Sequence, residues 1–264
     1  MDMIISAASS NAGKLREKNE DNFFLNGKTL PLEATGTFTL TDETNENGLY
    51  AVCDGMGGGV YGEIASAIAA DTLHDVYVRA EEQHEKLDEL IVWYTREANA
   101  RICFETEKND GRRMGTTYVV VSIRSGIVRV YNLGDSRAYL LWGGGNKLSQ
   151  LTRDHTRVRS LVDMGVITRE KARTHPERHT LTQHLGIYPE EMVIEPYAAP
   201  SFNLMDGDVL LLCSDGLTDM LEDSKIRKIM SENQSPQETA GKLLEAALRN
   251  GGKDNITVVV IKRV

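Results

Sequence analysis

Two apolar segments of this chain each end on an Asp-Gly pair, and this repeated design constrains the fold more than any other feature. Residues 49–55 close on Asp54 followed by glycine. Residues 209–216 close on Asp215 in the same way. Short apolar runs are typical of buried strands, and glycine lets the backbone turn sharply and approach a ligand closely. Each segment therefore predicts a strand that presents a carboxylate at its end, and the two together indicate one shared site.

Length and composition predict a single domain over residues 1–264. The chain is long enough to bury a large core, and no Pro/Ser-rich linker divides it. Its 41% hydrophobic and 26% charged residues are ordinary for a soluble protein, and no apolar run approaches the roughly 18 residues of a membrane span. The first residues lack the basic region of a signal peptide. We therefore expect a cytoplasmic monomer that does not contact a membrane.

The charge pattern excludes one class of partner and leaves another open. A net charge of −9 argues against nucleic acid, because phosphate-backbone binding needs a basic surface. The three cysteines have no CxxC spacing, which predicts buried thiols. The middle of the chain is nevertheless basic, through Arg153, Arg157, Arg159, Arg169, Lys171, Arg173 and Arg178. This cluster is either a patch for a phosphorylated or acidic partner or a solvated helical face.

Strand-like and helical patterns alternate in blocks along the chain. Strands are predicted at residues 4–9, 22–25, 36–41, 48–53, 116–123, 127–133, 137–142, 192–198, 208–213 and 255–261. Helices are predicted at residues 62–80, 86–108, 157–164, 169–173, 223–231 and 236–250. The helices come in pairs and not singly between strands. This order favours an α+β fold in which helix pairs cover antiparallel sheet.

Three segments need a separate interpretation. Residues 27–47 are polar and predict a hairpin excursion before the Asp54 strand, with no role assigned. Residues 154–185 carry four of the six histidines and lack a steady apolar period, which predicts a surface flap. Residues 57–62 satisfy the dinucleotide pattern G-x-G-x-x-G. We reject nucleotide binding there, because Asp54 would repel the phosphates and no acid stands about 20 residues on at the end of a following strand.

Acidic residues stand at five predicted strand ends: Glu20 and Asp21, Asp54, Asp135, Asp215, and Asp254. Carboxylates packed side by side would repel one another by several kcal/mol unless a cation neutralised them. The candidates are hard oxygen donors, and the chain has neither zinc spacing nor a calcium loop, which favours Mg²⁺ or Mn²⁺. Two such ions activate water for phosphate-ester hydrolysis. Arg16 is either a bidentate phosphate ligand or part of an ordinary surface ion pair.

In these residues the chain resembles the metal-dependent protein serine/threonine phosphatases of the PPM or 2C type, in their bacterial form. The likeness covers nearly the whole chain. The matching motifs are Arg16…Asn19-Glu20-Asp21, Asp54-Gly55-Met56-Gly57-Gly58, Met114-Gly115-Thr116-Thr117, Gly134-Asp135-Ser136-Arg137, Leu151-Thr152-Arg153-Asp154-His155, Leu181-Thr182-Gln183…Leu185-Gly186, Ser214-Asp215-Gly216-Leu217 and Asp254-Asn255. The resemblance implies a four-layer αββα sandwich, with two antiparallel sheets flanked by helix pairs and a dinuclear metal site at one end.

The resemblance also implies a metal-binding role for five residues. Asp54 would bridge two metal ions, Mn²⁺ or Mg²⁺. Asp215 and Asp254 would complete the first ion, and the carbonyl of Gly55 would contribute to the second. Asp135, jointly with Asp215, would supply the third metal site of bacterial members.

Residues near the metal ions would act on water and on the phosphate. The resemblance implies that Glu20 and Asp21 orient water molecules on the ions and that Arg16 holds the phosphate. Asp219 is a further acid close to the predicted ligands. The implied partners are phosphorylated proteins and a bacterial-type Ser/Thr kinase whose action the enzyme would oppose.

One position departs from the family pattern. Members with Asp-Gly-His-Gly-Gly place a proposed general acid where this chain has Met56, and a thioether cannot donate a proton. The proton for the leaving group would then come from water, from water on a metal ion, or from His155, His175 or His179 in the flap. Two other functions stay open: a non-catalytic phosphoprotein-binding regulator, and a hydrolase of small phosphate esters on the same fold.

Overall fold

Two antiparallel sheets face each other across the centre of the molecule. The computed structural model describes residues 3–34, 36–45, 47–57, 61–82, 86–143, 145–232 and 234–264. The first sheet has the order β10 (Leu148–Gln150), β9 (Arg137–Leu141), β13 (Val209–Cys213), β14 (Ile256–Arg263), β1 (Met3–Asn11) and β4 (Phe38–Asn45). Every pairing in this sheet for which the register is described is antiparallel.

The second sheet is built around the strand that ends at Asp54. Its order is β11 (Tyr197–Ala198), β8 (Ile127–Leu133), β7 (Tyr118–Arg124), β5 (Asn47–Met56), β2 (Asp21–Leu25) and β3 (Lys28–Thr29). Two short strands lie off this path: β12 (Phe202–Asn203) pairs with β8, and β6 (Gly115–Thr116) pairs with β5.

Helices cover the outer face of each sheet. The helices are α1 (Gly62–Glu82), α2 (Leu87–Lys108), α3 (Arg157–Asp163), α4 (Arg169–Arg173), α5 (Asp215–Thr218), α6 (Asp223–Met230) and α7 (Pro236–Arg249). Helices α1 and α2 pack on the second sheet, and α5, α6 and α7 pack on the first. The predicted α+β architecture, a four-layer αββα sandwich, is confirmed. Within the described residues, no helix is long and apolar enough to cross a membrane.

Buried apolar residues form three layers: between α1–α2 and the second sheet, between the two sheets, and between the first sheet and α5–α7. Side chains that alternate along a strand contribute to two of these layers. On β5, Ala51 and Cys53 face the α1–α2 layer, whereas Tyr50 and Val52 face the space between the sheets. On β14, Val259 faces the inter-sheet space and its neighbours face α7. Because helices cover the outer faces, both faces of these strands are buried, and the strands read as continuous apolar runs.

The predicted elements largely match the observed ones, with a few corrections. All six predicted helices form within three residues of their predicted bounds, and the three cysteines are buried free thiols. The strand predicted at residues 192–198 forms only at Tyr197–Ala198. Sequence patterns also missed α5 and the short strands β3, β10 and β12. Residues 58–60 of the rejected dinucleotide pattern lie outside the described residues.

Residues 27–47 do not form the predicted hairpin excursion. Strand β3 pairs with β2 in the second sheet, whereas β4 pairs with β1 in the first. The segment therefore crosses from one sheet to the other. On β4 half-buried and exposed residues alternate, and Phe38 and Leu40 pack against the core between the sheets. The polar composition reflects an edge strand with one solvent-facing side.

Burial in the inter-sheet layer should contribute strongly to stability. We expect Phe23→Ala, which removes a fully buried ring from this layer, to lower the free energy of unfolding by about 3–5 kcal/mol. The matched control is Phe104→Ala, since that ring is 59% exposed and contacts Lys108. It should cost about 1 kcal/mol or less. Urea denaturation of both variants measures the difference, and equal losses would contradict this assignment of the core.

Candidate metal centre

Asp21 and Asp54 lie directly opposite each other on neighbouring strands. The antiparallel register of β2 and β5 pairs the two residues. Side chains alternate between faces along a strand, so Asp21 shares the face of Phe23, and Asp54 shares the face of Val52. Both carboxylates therefore continue the inner face of the sandwich at the end where the apolar layer stops.

Three further carboxylates converge on this end. Asp215 follows β13, Asp254 precedes β14, and Asp135 lies in the turn between β8 and β9. Burial raises the pKa of Asp54 well above its ordinary value, and the charge of Asp21 raises it further, followed by those of Asp215, Asp135 and Asp254. Burial and the Asp215 charge raise the pKa of Asp135 likewise. The fold thus brings all five predicted aspartates within electrostatic reach of one another.

The two carboxylate oxygens of Asp21 differ in their hydrogen bonding. The hydroxyl of Ser214 donates to Asp21 Oδ2 at 2.7 Å and accepts from the backbone N–H of Thr257 at 3.0 Å. No described residue donates to Asp21 Oδ1, although this atom is buried. Burial raises the pKa of Asp21 to about 7. A buried carboxylate oxygen without a donor fits a cation or an ordered water in this position.

The glycines around Asp54 make room for Glu20. The N–H of Gly55 donates to the carbonyl of Glu20 at 3.1 Å. A Cβ at Gly62 would lie 2.7 Å from the Glu20 carboxyl carbon, and a Cβ at Gly55 would collide with the carbonyls of Glu20 and Gly62. Burial, followed by the charge of Glu63, raises the pKa of Glu20. The structure therefore places Glu20 beside the Asp54 turn, on the approach of α1.

Asn255 holds the segment that carries Arg16 and Glu20. Its side-chain amide donates to the carbonyls of Ala12 and Lys18 at 2.9 and 2.8 Å. Its side-chain oxygen accepts the N–H of Glu20 at 2.8 Å. In the sequence, Asn255 stood out only as part of the Asp254-Asn255 motif. The available signal was its place directly after Asp254, at the start of a strand.

Arg16 pairs with one of the predicted metal ligands. Its guanidinium Nη2 lies 2.7 Å from Asp254 Oδ2, and the two side chains are 50% and 39% exposed. The hydrogen bond to Asp254 raises the pKa of Arg16. The structure thus shows the ion pair that sequence analysis kept as one of two interpretations, located at the mouth of the carboxylate cluster.

His179 is the flap histidine that reaches the predicted ligands. Its Nδ1 lies 3.2 Å from Asp215 Oδ2, and its Nε2 lies 3.1 Å from Asp219 Oδ2. The hydrogen bonds to Asp215 and then Asp219 raise the pKa of His179 to about 10. One ligand atom each from Asp135, His179 and Asp215 all lie within 4.8 Å of one another. Asp135 and Asp215 could hold a divalent cation here, and His179 could join them only after it loses a proton.

The other two histidine candidates make local backbone contacts. His155 Nδ1 accepts the N–H of Gly134 at 3.0 Å, and the N–H of His155 donates to the Gly134 carbonyl at 2.9 Å. These two bonds fix the turn that carries Asp135. Burial lowers the pKa of His155. His175 Nδ1 accepts the N–H of Glu177 at 3.1 Å, which stabilises a turn within the flap.

A histidine that sequence analysis did not single out lines the same cavity as Met56. This cavity has a volume of about 300 Å³ and is also lined by Arg113 and His184. His184 Nδ1 lies 2.8 Å from the carbonyl of Leu185, and burial lowers the pKa of this histidine. An imidazole therefore lies near the thioether that replaces the family's histidine. In the sequence, the only sign of this position was that His184 belongs to the histidine-rich flap.

Known proteins resemble this chain over almost its whole length. Residues 37–250 match the family described as protein phosphatase 2C. The serine/threonine phosphatase stp of Listeria welshimeri is 34% identical over 254 residues, which cover 95% of this chain and 92% of that protein. The serine/threonine protein phosphatase PstP of Mycobacterium tuberculosis is 36% identical over 259 residues, which cover 96% of this chain but 44% of PstP.

Solved structures share the same fold. The crystal structure of the Mycobacterium tuberculosis phosphatase PstP/Ppp superposes with a TM-score of 0.80 at 33% identity and covers 98% of both chains. The catalytic domain of PstP in complex with two manganese ions superposes with a TM-score of 0.78 at 32% identity and covers 99% of both chains. Because the family match spans most of the residues and the relatives exceed 30% identity, this chain belongs to the protein phosphatase 2C family.

Proposed function

We propose that this protein is a metal-dependent phosphatase that hydrolyses phosphoserine and phosphothreonine in proteins. The observation that carries the proposal is the pairing of Asp21 with Asp54 at the end of the sandwich, within reach of three more aspartates. We include in the proposal that residues 1–264 act as one domain, as a cytoplasmic monomer, and that the enzyme opposes a Ser/Thr kinase. These last points rest on sequence reasoning.

The proposed ligands fit divalent cations by their chemistry. Asp54 would bridge two ions, with Asp215 and Asp254 on the first and the Gly55 carbonyl on the second. Asp135 and Asp215 would hold a third. Carboxylate and carbonyl oxygens suit Mn²⁺ and Mg²⁺, and the manganese complex of the PstP catalytic domain supports manganese. When bound, such ions activate a water for in-line attack and neutralise charge on the phosphate.

The chain's own groups would position the reactants. Ser214 fixes the carboxylate of Asp21, and Asn255 fixes the backbone of Glu20. Both carboxylates would accept hydrogen bonds from water at the site. Arg16 lies at the edge of the carboxylate cluster, where it pairs with Asp254. It would leave this ion pair and donate two N–H hydrogen bonds to the phosphate.

The central test is removal of the bridging carboxylate. We expect Asp54→Asn to lower kcat for p-nitrophenyl phosphate and for a phosphothreonine peptide by about 100-fold or more, because ligation is worth several kcal/mol. The matched control is Asp75→Asn on α1, where the carboxylate forms a half-exposed ion pair with Arg101. That variant should retain wild-type kcat.

The same pair of variants checks the fold. Asp54→Asn removes a buried carboxyl whose charge its neighbours disfavour, so the metal-free variant should melt no lower than the wild type. Wild-type kcat in the folded Asp54→Asn protein would refute the proposed role. Phosphopeptide binding without any turnover in the wild type would instead indicate a binding module. Turnover of p-nitrophenyl phosphate alone would indicate a small-ester hydrolase.

Arg16→Lys separates the two interpretations of Arg16. The variant keeps the charge and loses the bidentate fork. If Arg16 holds the phosphate, the KM for p-nitrophenyl phosphate should rise about tenfold, while the Mn²⁺ concentration for half-maximal activity stays the same. If its role is to hold Asp254, the Mn²⁺ requirement should change instead. Lys14→Gln, an exposed residue on the same segment, is the control and should change neither quantity.

Metal binding should show in the dependence of stability on pH. Asp21, Asp54 and Asp135 have raised pKa values when folded, that of Asp21 to about 7, so the folded protein binds more protons than the unfolded chain above about pH 4. In metal-free protein these carboxyl groups should therefore add to stability at low pH, and this contribution should be lost as the pH rises towards 7. Mn²⁺ should raise the melting temperature more at pH 8 than at pH 5.5, because protons compete for the ligands.

Thermal melts with EDTA or Mn²⁺ at the two pH values measure this effect. Asp54→Asn is the comparison variant, and its metal-free stability should depend less on pH than that of the wild type. An equal Mn²⁺ shift at both pH values, or no shift, would contradict metal binding by these carboxylates.

A further inference from the structure

A second recess opens beside the carboxylate cluster, between the flap and the first sheet's helices. It has a volume of about 540 Å³. Its walls come from α3 and α4 of the flap, from α5 and from the start of α6. Asp135, His179 and Asp215 line it as well, so the recess and the candidate metal centre share a wall. A group bound in this recess would lie next to a phosphate at the metal centre.

Cations dominate the recess once the proposed metal ligands are set aside. The basic lining residues are Arg137, Arg159, Arg169, Arg173, Arg178 and Lys253, and the acidic ones are Asp135, Asp154, Asp215, Asp219 and Asp223. Asp135 and Asp215 would be neutralised by metal. Asp154 is held by Arg137 at 2.6 Å, and Asp219 is held by His179 at 3.1 Å. On a protein with a net charge of −9, this wall is locally positive.

Three of these cations, Arg169, Arg173 and Lys253, differ from the others. Within the part of the chain that the structure describes, no carboxylate oxygen lies within ion-pair distance of Arg169, Arg173 or Lys253. Arg173 Nη2 lies 3.4 Å from the carbonyl of Thr218 on the opposite wall. By contrast, Arg159 of the same recess forms an ion pair with Asp163. All three unpaired side chains are exposed to solvent and so open to a ligand.

We propose that this recess binds a second anionic group of the phosphoprotein substrate, on Arg169, Arg173 and Lys253. The anion is either a second phosphate or an Asp or Glu carboxylate close in sequence to the phosphoresidue. This inference rests on the proposed phosphatase function and adds substrate selection to it. Guanidinium groups match both anions through paired N–H donors, so one site serves both chemistries.

Two features of the recess favour a ligand site over a solvated helical face. Its surface is concave, and three of its cations form no ion pair with the described residues. The cations lie on separate elements, since Arg169 and Arg173 belong to α4 and Lys253 precedes β14, yet they line one recess. Lys171 also belongs to α4 and is exposed, but it does not line the recess. A solvated helix alone would give no reason for cations of distant segments to face the same space.

The test compares three phosphothreonine peptides of one length with Mn²⁺-loaded protein. One peptide carries neutral flanking residues, one a Glu, and one a phosphoserine, with the added anion moved across the positions on both sides. We expect kcat/KM at low salt to be about tenfold higher for the best doubly anionic peptide than for the neutral one. This preference should shrink at high salt, because exposed charges are screened.

Variants then assign the preference to the recess. Each of Arg169→Gln, Arg173→Gln and Lys253→Gln should reduce the ratio of the two kcat/KM values about threefold to fivefold, through KM. Lys171→Gln is the matched control on the same helix and should leave the ratio unchanged. The phosphoserine and Glu peptides distinguish a phosphate preference from a general preference for anions.

The possible failures are distinct. Equal hydrolysis of all three peptides by the wild type, or an equal effect of Lys171→Gln and the recess variants, would overturn the inference and leave the phosphatase function standing. Hydrolysis of none would overturn the proposed function. Fluorescence anisotropy of the labelled peptides with Mn²⁺-loaded protein would still decide the second-anion site in that case, since tighter binding of the doubly anionic peptides needs no turnover.

Discussion

Repulsion between carboxylates at one end of the sandwich is the constraint on which the site depends. The β2–β5 register sets Asp21 opposite Asp54, and burial makes the ionised form of either costly. Such a pair can be neutralised by protons or by cations. The proposed divalent cations would meet the same requirement with the carboxylates ionised, which links the fold, the strand-end oxygen ligands and the proposed chemistry.

The scaffold holds these carboxylates by contacts that lie outside the acid set. Ser214 bridges Asp21 and the backbone of Thr257, and so ties the two sheets together next to the site. The hydroxyl of Thr116 and the N–H of Thr117 both donate to the Asp54 carbonyl at 2.9 Å. The charged groups thus stand on strand ends whose backbone is already paired. Strand ends of this kind can keep repelling carboxylates close to one another without the site rearranging.

The parts of the chain that could be predicted from sequence are those in which local pattern and final environment agree. The α2 and α7 periodicities, and the apolar β5 and β13 runs, have the same meaning alone and in the fold. The prediction for residues 27–47 was wrong because an edge strand with one solvent-exposed face is as rich in polar residues as a surface hairpin. Helix α5 is four residues long, too short to show a helical period. The residues 192–196 lack a partner strand in the described structure, so an extended pattern there did not become sheet.

The sequence alone determined which residues can carry the chemistry: the acids at strand ends, the glycines beside them and the motif order that identifies the family. Their order along the chain also indicated a layered α+β fold, because apolar periodicity records which faces must be buried. Only the tertiary structure decided that Arg16 pairs with Asp254, that His179 links Asp215 and Asp219, and that unpaired cations of the flap and of the β14 approach share one recess. These contacts join residues far apart in the chain, and no local pattern encodes a distance across a fold.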